Sequence, residues 1–159
     1  MNPSTLAKLE KRFQPFLHRL PPIIATYIYS KARLKYLEKL KDEIPTKTFN
    51  PPEELSRKLW GIKFRSPIFN AAGMFKNGEC YEMVARQGAG AYLGGTGTWN
   101  PRKGNKKLGI YLPFLAYRKS KASSNWLGLP NDGDTVNSER ARAIRREEGC
   151  PMGWSVMGS

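Results

Sequence analysis

Residues 66–79 read SPIFNAAGMFKNGE, and this stretch decides the reading of the fold. An apolar segment, Pro67 to Phe69, runs into the small residues Ala71, Ala72 and Gly73, and a lysine, Lys76, stands just before an Asn-Gly pair. A buried strand that ends in small residues, with a polar loop after it, is the pattern of a strand entering a parallel sheet. EMVARQG, closed by Gly88, then predicts a short helix, and GAYLGGTGT predicts a second buried strand. Strand, helix and strand at this spacing form a parallel βαβ unit.

The same alternation continues outward. LWGIKF, just upstream, predicts a short strand. Residues 99–131 carry no clear period and are expected as a loop region. DTVNSERARAIRREEG predicts a helix capped by Asp134 or Thr135 and stopped by Gly149 with Pro151 behind it, and MGWSVMGS predicts another apolar strand. The expected class is α/β. Its expected organisation is a helical extension with its linker over residues 1–50, and the alternating unit over 51–159.

Two stretches before the linker, 4–20 and 23–44, have helical apolar spacing and are separated by Pro21 and Pro22. In the second, Ile24, Tyr27, Ile28, Leu34, Leu37, Leu40 and Ile44 supply an apolar stripe, and Lys31, Lys35, Lys39 and Lys41 supply the polar side. Two readings stand: a helical cap with a solvated lysine face, or a surface that touches anionic lipid.

Composition bounds the function. The 159 residues are 40% hydrophobic, enough for one ordinary core, and a net charge of +14 predicts an anionic partner: nucleic acid, a membrane surface or an acidic small molecule. Cys80 and Cys150 are too few for a disulfide framework or a metal cluster, so no metal is expected. His18, the one histidine, has no catalytic companion nearby in sequence and is expected at an ordinary surface or boundary position. Charged residues interrupt every apolar run, which argues against a spanning helix or a cleavable signal; the expected location is cytoplasmic, with peripheral contact on the inner face of a membrane.

Several motifs fail on inspection. GGTGTWN lacks the third glycine and the following helix of a dinucleotide loop, and no phosphate-binding GxxxxGK[ST] segment occurs. NDGDTVN lacks the ligand spacing of a calcium loop and reads as a turn. NPRKGNKKLG is either a phosphate-contacting loop or a solvated charge run.

What remains is a rim. Ala71, Ala72 and Gly73 end one strand, Thr96 and Thr98 end the next, and Ser155 sits in the last. Small residues let a flat ring lie against backbone, and hydroxyls add donors and acceptors to its polar edge. Lys76 is either a solvated loop lysine or an ammonium reaching over that ring toward an anion.

SPIFNAAGMFKNGE, then GAGAYLGGTGTWNPRKGN, then SNWLGLPNDG together resemble the dihydroorotate dehydrogenase family, in order and over about residues 59–159. The resemblance implies the N-terminal portion, about three strands, of a (β/α)8 TIM barrel that carries FMN and oxidises dihydroorotate to orotate in pyrimidine synthesis. It implies FMN contacts at Ala71, Ala72, Gly73, Lys76, Thr96 and Ser155. For the substrate it implies Lys76, Asn125, Trp126, Leu127, Gly128 and Leu129, with Asn131 close by. Lys76 and the helical extension resemble the branch that passes electrons to quinone, whereas GLPN and the serine of GWSVMGS resemble the soluble branch; Phe75 stands where the quinone branch usually has an acidic residue. No catalytic base is expected within the chain, because the family's serine or cysteine loop and its FMN-phosphate site would lie beyond Ser159. A full barrel takes about 250 residues, so a fragment that is inactive alone is expected. The competing expectation is a non-enzymatic basic module that uses its helices and the Arg102–Lys107 loop on RNA or an anionic membrane; nucleic acid is the weaker of those partners.

Overall fold

The structure is a computed structural model that describes residues 3–17, 19–117 and 120–158. His18 lies outside the described residues. In chain order the elements are α1 (Pro3–Leu17), α2 (Pro22–Lys41), β1 (Arg57–Leu59), β2 (Ile62–Phe64), α3 (Tyr81–Arg86), β3 (Tyr92–Gly97), β4 (Phe114–Tyr117), β5 (Ala122–Asn125), α4 (Asp134–Ala143) and β6 (Met152–Val156). They fall into two compact units: Met1–Asp42 with Lys103–Pro130, and Glu43–Arg102 with Asn131–Ser159. The division expected near residue 50 therefore differs from the structure in two ways. The helices part from the rest at Asp42, and residues 103–130 group with them.

In the first unit both helices end earlier than the sequence suggests, at Leu17 and Lys41. Pro22 opens α2, where its missing N–H costs nothing and its fixed φ suits the first turn. The apolar stripe of α2 is only partly covered: Leu34, Leu37 and Leu40 are half-buried, but its N-terminal members are not. Ala25, Thr26 and Ser30 are buried, whereas Ile24, Tyr27 and Ile28 remain exposed. Small side chains allow the closer approach: the Ser30 hydroxyl accepts from the N–H groups of Tyr111 and Leu112 at 2.9 and 3.0 Å. The Tyr29 ring also meets Phe114 edge-on, with centroids 6.4 Å apart. The region expected as a loop contains a hairpin, β4 against β5, in register from Phe114↔Asn125 to Tyr117↔Ala122.

In the second unit LWGIKF is not one strand but parts of two. Trp60 and Gly61, with φ of 53° and 78°, turn β1 back onto β2. SPIFNAAG is likewise not a buried strand: it makes a single parallel bridge, Phe69↔Ala91, and Ile68 and Phe69 are exposed. The βαβ pattern holds further along, where β3 and β6 pair in parallel from Tyr92↔Met152 to Gly97↔Val156.

The core lies beneath this pair. Tyr92 is fully buried, stacks on Phe75 (centroids 6.3 Å) and meets Tyr81 at 5.5 Å, while its hydroxyl donates to the Glu79 carbonyl at 2.7 Å. Helix α3 contributes Tyr81, Met83, Val84 and Ala85, and Gly88 (φ +87°) terminates it; a Cβ there would come within 2.5 Å of Phe49. Neither Asp134 nor Thr135 caps α4. Gly133 holds that position without a side-chain bond, and the Asn131 amide oxygen takes the Gly133 N–H at 2.9 Å. The helix also stops at Ala143, well before Gly149. Tertiary bonds claim the intervening segment: Glu147 N–H donates to the Tyr81 hydroxyl, that hydroxyl donates to the Cys150 carbonyl, and Arg65 pairs with Glu147. Neither cysteine forms a disulfide, and Cys150 is fully buried.

Candidate active site

The loop between Asn70 and Lys76 is tied to the end of β3 by backbone and amide bonds. Past the Phe69↔Ala91 bridge the side chain of Asn70 takes over the ladder: its amide nitrogen donates to the Leu93 carbonyl at 2.8 Å and its oxygen accepts from Leu93 N–H at 3.1 Å. The backbone resumes with Gly73 N–H donating to the Gly95 carbonyl at 2.7 Å, and Gly95 N–H donating to the Lys76 carbonyl at 3.1 Å. Gly95 therefore holds the loop from both ends. A side chain at Gly95 has no room, because its Cβ would run into the carbonyl oxygen of Ser155.

This geometry brings Gly73, Lys76, Thr96 and Ser155 to one rim of the second unit. The Thr96 and Ser155 hydroxyls lie 2.9 Å apart on adjacent parallel strands. Ala71 is exposed, Ala72, Gly73 and Lys76 are partly buried, and a Cβ placed on Gly73 would meet nothing within 4 Å. Phe75, at the position noted for its missing acid, is 3% exposed and points into the core against Tyr92. It plugs the loop from below, so the side chain just before Lys76 supplies packing rather than charge. Next to Lys76, the Asn77 amide oxygen is buried with no hydrogen-bond partner.

Asn131, expected near substrate, is turned inward. Its oxygen accepts from Thr98 N–H at 3.2 Å as well as from Gly133, its nitrogen donates to the Thr98 hydroxyl at 3.0 Å, and the residue is 5% exposed. It clamps the end of β3 to the start of α4. Asn125, Trp126, Leu127, Gly128 and Leu129 belong to the first unit. Asn125 closes β5, and the Asn105 amide donates to the Trp126 carbonyl at 2.8 Å. Asn70 and Asn131 as internal clamps were missed from sequence, although an asparagine at a strand end is a signal for such side-chain-to-backbone bonding. Among the described residues no group of three or more His, Cys, Asp or Glu could hold a metal, and no helix is long and apolar enough to cross a membrane.

Open glycine and alanine surface, a hydroxyl pair on neighbouring strands and an unspent buried acceptor fit a flat, polar-edged ring, and strand ends are where α/β proteins bind such ligands. The family model for dihydroorotate dehydrogenase matches residues 54–158. Dihydroorotate dehydrogenase (quinone) of Methylococcus capsulatus is 32% identical over 136 residues, 86% of this chain and 38% of the relative. That of Photobacterium profundum is 44% identical over 84 residues, 52% of this chain and 25% of the relative. Among solved structures, DHODH from Eimeria tenella in complex with ferulenol aligns with a TM-score of 0.63 and 25% identity, covering 79% of this chain and 34% of that one. The chain belongs to the dihydroorotate dehydrogenase family. It spans 38% of the length of the Methylococcus relative.

Proposed function

We propose that the second unit is the N-terminal part of a (β/α)8 barrel and that its rim holds FMN for the oxidation of dihydroorotate to orotate in pyrimidine synthesis. The observation that carries this reading is the family match over residues 54–158, which contains the whole Asn70–Lys76 loop and both rim hydroxyls. Ala71, Ala72 and Gly73 would lie under the ring, with Thr96 and Ser155 at its polar edge. Bound there, FMN supplies an acceptor for the hydride that leaves the substrate.

The chain's own residues orient and neutralise. Held by its backbone at Gly95, Lys76 presents an ammonium to the carboxylate of dihydroorotate, a charge-assisted contact that fixes the ring's direction. By resemblance, Asn125 and the Trp126–Leu129 segment serve the same substrate, an amide matching the ring's alternating donors and acceptors. The structure favours a positioning role for Asn131, whose amide is spent on Thr98 and Gly133. None of these groups is a base, and buried Cys150, its thiol pushed up by burial, is unsuited to the task. Residues 1–159 alone, at 38% of a relative's length, are proposed not to turn over dihydroorotate. A quinone acceptor is proposed from the quinone-type relatives. The location proposed is the cytoplasmic side of a membrane, touched peripherally by the basic helices.

The test is a chimera in which residues 54–158 replace the matching segment of the Methylococcus enzyme. A yellow protein that oxidises dihydroorotate is expected, and Lys76→Ala in it should lower kcat/KM by roughly two orders of magnitude, the cost of an unpaired buried charge. A folded, colourless chimera would sink the reading.

A further inference from the structure

Charge is not shared between the two units. Met1–Asp42 with Lys103–Pro130 contain 15 Lys and Arg against 3 Asp and Glu, a net +12, which leaves +2 of the chain's +14 for the other unit. Residues 103–130 contain no acidic residue at all. Within the first unit two lysines converge on one ring: Lys31 of α2 lies 5.2 Å and Lys106 of the loop lies 6.0 Å from the centroid of Tyr111, and Lys31 also lies 5.7 Å from Tyr27. Neither lysine forms an ion pair among the described residues.

Two ammonium groups beside one ring repel each other, and the attraction of the ring face offsets only part of that repulsion. The arrangement is nonetheless built, because fully buried Ser30 pins the backbone of Tyr111 and Leu112 to α2. An anion seated between the ammoniums would relieve the repulsion. The surroundings choose its source. Ile23, Tyr27 and Lys31 fall four residues apart along α2 and so share one face, with Ile23 at 57% and Tyr27 at 44% exposure, and Ile24 beside them at 46%. An exposed apolar stripe that leads to lysines suits the boundary between acyl chains and phosphates, whereas RNA would want stacking rings without aliphatic neighbours.

We infer that Lys31, Lys106 and Tyr111 form a subsite for the phosphate of an anionic phospholipid. This deepens the peripheral-membrane part of the proposed function and rests on it.

Co-sedimentation of the full chain with phosphatidylcholine vesicles, with and without about one third phosphatidylglycerol, tests both levels. Wild type should bind only the anionic vesicles. The pair Lys31→Ala/Lys106→Ala should lose about fivefold more affinity than Lys47→Ala/Lys58→Ala, which removes the same charge from the other unit. Tyr111→Leu should share the loss, and millimolar inorganic phosphate should leave vesicle binding intact. Equal losses for the two lysine pairs would keep the membrane reading but overturn the subsite. Displacement by inorganic phosphate, or tighter binding to single-stranded RNA with the same dependence on Lys31 and Lys106, would assign the cluster to another ligand and overturn the lipid. Failure of wild type to bind the anionic vesicles would overturn both levels.

Discussion

Asn70 does the work of a strand residue with its side chain. One amide satisfies both the N–H and the C=O of Leu93, at 3.1 and 2.8 Å, so the ladder continues where the backbone has already turned away. Asn70→Ala leaves both groups of a half-buried peptide unpaired and should cost about 2–3 kcal/mol. Asn70→Asp keeps the acceptor but loses the donor and should fall between the two, which urea denaturation of the three proteins would rank. Residues of this kind are only half legible in sequence. The lysine at position 76 and the small residues before it stood out by type, whereas Asn70 and Asn131 looked like any asparagines beside a turn. Their role depends on Leu93, Thr98 and Gly133, which are remote in sequence or reached only by a side chain folding back.

At the scale of elements, periodicity pointed to α3, β3 and β6 but took the loop-like residues 66–73 for a buried strand. Helix α3 and strand β3 follow their apolar patterns because they are largely buried, whereas β6 forms as expected although none of its residues is buried and Val156 is 71% exposed. The hairpins were hidden for opposite reasons. In β4 and β5 the strands are four residues each and Ala-Ser-Ser-Asn carries no apolar signal, while in β1 and β2 the run LWGIKF looked continuous because a tryptophan occupies the turn. That tryptophan is out of place. Trp60 is 90% exposed at φ 53°, a region costly for a bulky side chain, and it precedes a glycine at φ 78°. Asn-Gly is the pair this two-residue turn prefers. Trp60→Asn should therefore raise stability by roughly 0.5–1 kcal/mol, measurable as a higher melting temperature. Gly88→Ala should act in the other direction, losing about 2 kcal/mol or more, since φ is +87° and Phe49 stands within 2.5 Å of the new Cβ.

For the whole molecule, the buried acids give the response to pH. Burial is the leading cause that raises Cys150 above its ordinary 9.0 and raises Tyr92 and Tyr81 above their ordinary 10.0; beside Tyr92, Glu79 adds to the effect. Each group holds its proton more tightly folded than unfolded, so its contribution is intact below the unfolded pKa and is lost as pH rises through the folded one. The melting temperature should consequently begin to fall near pH 9, as Cys150 titrates in the unfolded chain, and fall more steeply past 10. Replacing Cys150 with serine, if the variant folds, should remove the first part of that decline and keep the second. Thermal scans at closely spaced alkaline pH values would resolve the two.

The route of the chain through its two units also bears on where its length can change. Residues 103–130 leave the second unit after Arg102 and return at Asn131, and those two residues exchange backbone hydrogen bonds of 2.9 and 3.0 Å. Exit and re-entry are thus knotted together at a single point inside the second unit. A segment fastened at its neck can lengthen, shorten or be traded for an unrelated stretch while the ends it must meet stay where they are. Changes of length should therefore be tolerated best between Tyr111 and Ser124, where they leave in place both the rim of Ala71, Thr96 and Ser155 and the Asn125–Leu129 stretch proposed for substrate.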